Sequence, residues 1–186
     1  MENLILNIQT YNLPKQIIHG DFNYDNVLCT SESVAKDRDE DNDNVNDGDI
    51  NEEVGEVTGV VDFEFCSLDW RAMELAVALS KYASQENPLH YFKPFIDGFF
   101  NNNNLILTDN EIEVLPNLIK LRLLSNIIYF VARVLAKEDT EATLTCRLGD
   151  YCHRIRWINQ HSNVISDLIR NAMDIFNKRH IITSDI

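Results

Sequence analysis

The stretch IIHGDFNYDNVL (residues 17–28) decides how this chain is read. An apolar pair, Ile17 and Ile18, runs straight into His19-Gly20-Asp21, and Asn26 follows the aspartate five positions later. Taken alone, such a segment is a polar turn between strands, since Asn and Asp favour turns. A second stretch downstream, VTGVVDF (57–63), alters that balance. Its β-branched residues predict a strand that ends on Asp62. A short strand around Asn26 to Cys29 and this second strand flank a polar tip, which predicts a hairpin whose turn has been enlarged.

The enlargement is acidic. Residues 36–56 hold ten acidic and two basic side chains, a local charge of −8 out of −14 for the whole chain. The remaining 165 residues carry only −6. The segment 32–56 therefore reads as a low-complexity insertion that cannot bury apolar area, either disordered or a solvated loop. The acidity argues against nucleic acid as a partner, because phosphate contacts need clustered Lys and Arg. With 186 residues the chain fits one domain with a real core.

Cys29, Cys66, Cys146 and Cys152 show no CxxC spacing, and without a secretion signal they read as reduced thiols in a cytoplasmic protein. The start, MENLILNIQT, lacks a basic leader region and its apolar run is broken by Asn7 and Gln9. The most apolar region, NLIKLRLLSNIIYFVARVLA, is interrupted by Lys120, Arg122 and Arg133 and reads as a buried helix rather than a membrane span.

The other elements follow from periodicity. Residues 2–10 predict a helix end with Leu4, Ile5 and Ile8 on one side, stopped by Pro14. Asp69 predicts an N-cap for a helix reaching about Ser84. A further helix is expected near 88–101, kinked or split at Pro94. TDNE (108–111) is a capping box, and a long central helix is expected over about 117–137. Leu144, Leu148, Tyr151, Ile155 and Ile158 predict one helix, and Ile165, Leu168, Ala172 and Ile175 a last one, the two packed as an antiparallel pair. Cys152 is expected to be partly buried. The fold class is α+β and mostly helical.

Asp21, Asn26 and Asp62 are the groups that phosphoryl transfer requires. A carboxylate orients the acceptor hydroxyl and takes its proton, while an amide oxygen and a second carboxylate suit a hard Mg²⁺ ion. His19 is better placed to brace the loop than to react. HGDFNYDN resembles the HxDxxxxN loop of the kinase-like small-molecule phosphotransferases, the aminoglycoside phosphotransferase and choline kinase family. VVDFE resembles their second metal motif, and DWRAMELAVALSKY the helix that follows it. Together the three stretches look most like the type II homoserine kinase branch, over roughly residues 14–160.

That resemblance implies the C-terminal lobe of the protein-kinase-like fold, with the hairpin carrying the catalytic and metal motifs. It implies ATP and Mg²⁺ as cofactors and a small-molecule alcohol as substrate. Homoserine leads, with an amino alcohol, a sugar derivative or an aminoglycoside as alternatives. Asp21 is the implied base, Asn26 and Asp62 the implied metal ligands, and Glu64 a further candidate ligand. Asp69 is a candidate acceptor contact beside its plain role as a cap, and Arg71 a candidate for a substrate carboxylate beside plain solvation on a helix surface.

One part of the family pattern is not matched. The six glycines form neither GxGxxG nor GxxxxGK, and the residues before the loop cannot build a nucleotide-binding lobe with its lysine. The expectation is therefore a catalytic lobe alone, weak or inactive in isolation. Alternatives are half of a split kinase, completed by a separate N-terminal lobe chain, or a non-catalytic remnant acting as a binding module.

Other ligand readings fail on spacing. An EF-hand frame with Gly48 sixth puts Val45 third and Val54 twelfth, where oxygen ligands belong. Cys146, Cys152 and His153 lack the paired spacing of a zinc site. Arg147, Arg154 and Arg156 are expected to form a solvated or salt-bridged helix face.

Overall fold

A computed structural model describes residues 2–30, 56–101 and 106–184. The acidic insertion, as far as residue 55, lies outside the described residues. The first elements are α1 (Glu2–Gln9), β1 (Lys15–Ile18), β2 (Val27–Cys29), β3 (Val57–Val60) and β4 (Ser67–Trp70). They are followed by α2 (Ala72–Tyr82), α3 (Pro88–Asn101), α4 (Asp109–Leu135) and α5 (Glu141–Ser184). The α+β, mostly helical class expected from the sequence is what the chain adopts.

The strands form two separate antiparallel pairs. The expected hairpin is β2–β3, in register Val27 to Val60 and Leu28 to Gly59. The second pair, β1–β4, has no counterpart in the sequence reading. It aligns Lys15 with Trp70 and Ile18 with Ser67, and so clasps together the two ends of the segment that carries both motifs.

The core sits among the helices. Eight of the eleven residues of α2 are buried, which makes α2, and not α4, the helix covered on all sides. Its small residues Ala72, Ala76 and Ala78 let neighbouring helices approach closely, since helix spacing follows the side chains at the contact. Phe92, Ile96 and Phe100 of α3 and Leu115, Leu118, Ile119 and Leu123 of α4 complete the interior.

Helix α4 starts earlier than expected. The Thr108 hydroxyl accepts from the Glu111 N–H at 3.3 Å and Glu111 Oε2 accepts from the Thr108 N–H at 2.8 Å, so the capping box forms as expected. The helix then runs through Pro116 instead of starting after it. Proline removes the N–H that would have bonded the Ile112 carbonyl. The Ser166 hydroxyl of α5 reaches that carbonyl at 3.4 Å, a partial replacement. Only the first half of α4 is central; Ile128, Tyr129 and Leu135 are exposed, the last by 79%.

The expected antiparallel pair after residue 140 is instead one helix, α5, of 44 residues. The polar stretch from Asn159 to Asn163 invites a turn, but His161 and Ser162 bond back onto the helix, and the Asn159 amide oxygen accepts from Lys120 of α4 at 2.9 Å. The Ser162 hydroxyl donates to the Ile158 carbonyl at 2.8 Å, and His161 Nδ1 lies 2.9 Å from the Trp157 carbonyl. Ile158, Ile165 and Ile169 are buried on both sides of this stretch and hold α5 in the core.

Asp69 is not an N-cap. It lies in β4, where its Oδ1 accepts from the Trp70 N–H at 2.7 Å. The N-cap position of α2 is Arg71, without a side-chain cap. Cys152 is exposed, as are the other three cysteines, because it falls on the solvent side of α5 one position after the buried Tyr151.

Candidate functional site

The loop after β1 is organised from within. His19 is buried, and its Nε2 lies 2.9 Å from the Val61 carbonyl while its Nδ1 lies 3.3 Å from the Asp21 N–H. A carbonyl can only accept and a backbone N–H can only donate, so the proton belongs on Nε2 and the lone pair on Nδ1. His19 therefore links the two motif segments through these two bonds. The Asn23 side chain caps the 3-10 turn Tyr24–Asn26 by accepting from the Asp25 N–H at 2.9 Å. Asn26 is buried, and its amide N–H groups donate to the Asp21 carbonyl at 2.9 Å and to Asp21 Oδ2 at 3.2 Å. Its Oδ1 meets no donor among the described residues.

The second motif lies against the first. The Val61 N–H donates to the Asn26 carbonyl at 3.0 Å, which extends the β2–β3 ladder to the base of both turns. Asp62 follows in the left-handed region, φ 68° and ψ 59°, a conformation Asp tolerates better than most residues. Its carboxylate is exposed and makes no hydrogen bond or ion pair among the described residues. Phe63–Phe65 form a 3-10 turn that packs on the loop, with the Phe63 ring 4.7 Å from that of His19. Gly20, at φ 78°, is the contact point: an added Cβ would stand 2.6 Å from the Phe65 carbonyl oxygen. The Gly20 N–H donates to Glu74 of α2 at 3.2 Å, tying the loop to the central helix.

Asp21 faces an open cleft of about 470 Å³ between the loop, α2, α4 and α5. Arg122 of α4 donates to Asp21 Oδ1 at 2.6 Å, a charge-assisted bond between half-buried partners. The same guanidinium lies 5.9 Å from the Phe65 ring centre, so one arginine touches both motifs. With Arg122 on Oδ1 and Asn26 on Oδ2, the carboxylate is fixed in orientation yet keeps lone pairs for a further donor. Sequence reasoning missed this role, treating Arg122 only as a charge interrupting an apolar run. The available signal was its position between the buried Ile119 and Leu123, where a cation needs a partner.

The expected site residues thus fall into two groups. His19, Asp21 and Asn26 form one hydrogen-bonded unit, and Asp62 and Glu64 follow from the adjoining turn, with Glu64 lining the cleft. Asp69 and Arg71 do not line it. Arg71 is committed to Glu111, at 2.7 Å through Nε and 2.8 Å through a terminal nitrogen. Lys81 pairs with Asp25 at 2.5 Å, and Arg154 with Asp150. Among the described residues no group of three or more His, Cys, Asp or Glu side chains is arranged to hold a metal ion. No helix among them is long and apolar enough to cross a membrane. Comparisons with protein-family models, with curated proteins and with solved structures return no match.

Proposed function

We propose that this chain is the catalytic lobe of an ATP-dependent phosphotransferase acting on a hydroxyl of a small molecule, in the manner of the kinase-like family it resembles. The observation that carries this reading is the joint between the two turns. The Asn26 carbonyl binds the Val61 N–H, and the His19 ring binds the Val61 carbonyl, so Asn26 and Asp62 emerge from one hydrogen-bonded base.

The donor set suits Mg²⁺. Two hard oxygen groups, Asn26 Oδ1 and the Asp62 carboxylate, have no described partner, and a nucleotide-bound Mg²⁺ takes one or two protein ligands with phosphate oxygens and water supplying the rest. When bound, the ion would neutralise phosphate charge. Asp21 accepts a hydrogen bond from the acceptor hydroxyl and receives its proton as the new O–P bond forms and the bond to the β–γ bridging oxygen breaks. Arg122 and Asn26 keep the Asp21 carboxylate from rotating away.

Thermal unfolding with and without Mg²⁺ and ATP tests the reading. Ligand at about 100 times its dissociation constant stabilises by about 2.7 kcal/mol. Stabilisation of the parent chain that is lost in Asp62→Ala is the expected result; equal curves for the two proteins, or no shift in either, would sink the proposal. Asp21→Asn is expected to keep the stabilisation while any phosphoryl transfer drops by about 10²–10⁴-fold.

One observation favours the split-kinase alternative. Ile17 and Leu68, paired across β1–β4, are 74% and 69% exposed, and Phe63 is exposed as well. Exposed apolar side chains paired across one strand ladder are the kind of surface that marks interaction sites. On this alternative, Mg²⁺-ATP would stabilise the chain only after a lobe carrying the phosphate-binding lysine is added.

A further inference from the structure

The cleft in front of Asp21 is lined by four cations in a chain whose net charge is −14. Three of them have carboxylate partners: Lys81 with Asp25, Arg122 with Asp21, and Arg154 with Asp150. Arg147 has none among the described residues. Its guanidinium instead lies 4.0 Å from the centre of the Phe130 ring, and Phe130 stacks on Tyr151 at 6.3 Å and 27°. Arg154 covers the other ring, 5.3 Å from the centre of Tyr151. Cation–π contact fixes the plane of a guanidinium without using its N–H donors, which stay available at the edge. Arg147 is thus an exposed, oriented and uncompensated cation. Phe130 lies eight residues beyond Arg122 on α4, so this stack is roughly 12 Å along the helix from the ion pair that holds Asp21.

We infer that this aromatic–arginine stack is an oxyanion site, and that the molecule entering the cleft carries a carboxylate or phosphate group at a distance from its hydroxyl. The inference rests on the phosphotransfer reading for the role of the hydroxyl but not for the anion. Cationic acceptors, the amino alcohols and aminoglycosides, meet Arg147 with like charge. The other charges facing the stack are consistent with this. Asp150 is taken by Arg154 and Asp21 by Arg122, while Glu64, which also lines the cleft, comes from the Phe63–Phe65 turn rather than from α4 or α5.

Binding measured by calorimetry on the full chain without nucleotide, at low salt, tests the inference with three probes of matched length. These are 6-hydroxyhexanoate, 1,6-hexanediol and 6-amino-1-hexanol, with inorganic phosphate as a separate arm. The hydroxy acid is expected to bind at least about tenfold more tightly than the diol or the amino alcohol. Arg147→Gln is expected to remove that preference, and because Arg147 is exposed the fold survives the change. Arg147→Lys is expected to restore part of it. Tighter binding of the hydroxy acid than of inorganic phosphate identifies a carboxylate on the acceptor, and the reverse a phosphate. Equal affinities across the charged and neutral probes, or a preference unchanged in Arg147→Gln, would overturn the assignment. An anion preference without any Mg²⁺-ATP stabilisation would instead overturn the phosphotransfer reading and leave the oxyanion site standing.

Discussion

Glu111→Ala is expected to lower the free energy of unfolding by about 3–5 kcal/mol, the range for removing one partner of a buried ion pair. The side chain of Glu111 is 0% exposed, and it carries three duties at once. It receives two bonds from the Arg71 guanidinium, accepts the Thr108 N–H of the capping box, and accepts the Thr108 hydroxyl at 3.0 Å. Removing it takes both carboxylate bonds from a largely enclosed guanidinium at the start of α2 and removes the glutamate half of the capping box of α4, leaving the Thr108 hydroxyl cap in place. Burial alone would push the carboxyl upward, but the hydrogen bonds from Arg71 and Thr108 and the Arg71 charge outweigh it, so the pKa lies below the ordinary 4.5. A depressed carboxyl stabilises the fold fully above its unfolded value and loses that contribution as pH falls through the folded one. Urea titrations at neutral pH and near pH 3 check both parts: a large gap between parent and variant at neutral pH, narrowing in acid. A gap within about 1 kcal/mol at neutral pH would contradict the account.

Gly20→Ala is expected to cost about 2–3 kcal/mol and to abolish stabilisation by Mg²⁺-ATP. Two penalties combine at this position. A left-handed conformation is unfavourable for any residue with a Cβ by about 1–2 kcal/mol. The Cβ would also press on the Phe65 carbonyl oxygen at 2.6 Å, which is backbone and cannot simply swing aside. Relief comes from moving the Phe63–Phe65 turn off the loop, which carries Asp62 away from Asn26. Circular dichroism should show the helical content retained, with the loss confined to ligand response. A variant that responds to Mg²⁺-ATP like the parent would show that contact between the two turns is not needed.

Local signals in the sequence were reliable where local chemistry decides. The Thr108–Glu111 capping box, the β2–β3 hairpin and the helix over 88–101 all depend on residues close in sequence or on a strong pattern. What failed was decided at long range. No local feature announces that Ser67–Trp70 pairs with Lys15–Ile18, so Asp69 read as a cap when it is a strand residue. Arg71 read as a surface or substrate contact because its partner, Glu111, lies 40 residues away. The same limit hid Arg122, whose bond to Asp21 spans 101 residues. The turn expected between residues 158 and 165 failed differently: polar side chains that bond back onto their own helix leave it unbroken.

The clasp formed by β1 and β4 has a kinetic meaning. It fastens the ends of a chain segment more than 50 residues long, whereas the helices behind it are held by their own packing. Unfastening that edge would let the whole motif-bearing flap lift while the helical body stays intact, a partial opening below the global transition. Amide exchange at Ile17 and Leu68 should then outpace exchange in α2, and anything that bridges the flap to α4, as Arg122 does through Asp21, would slow it.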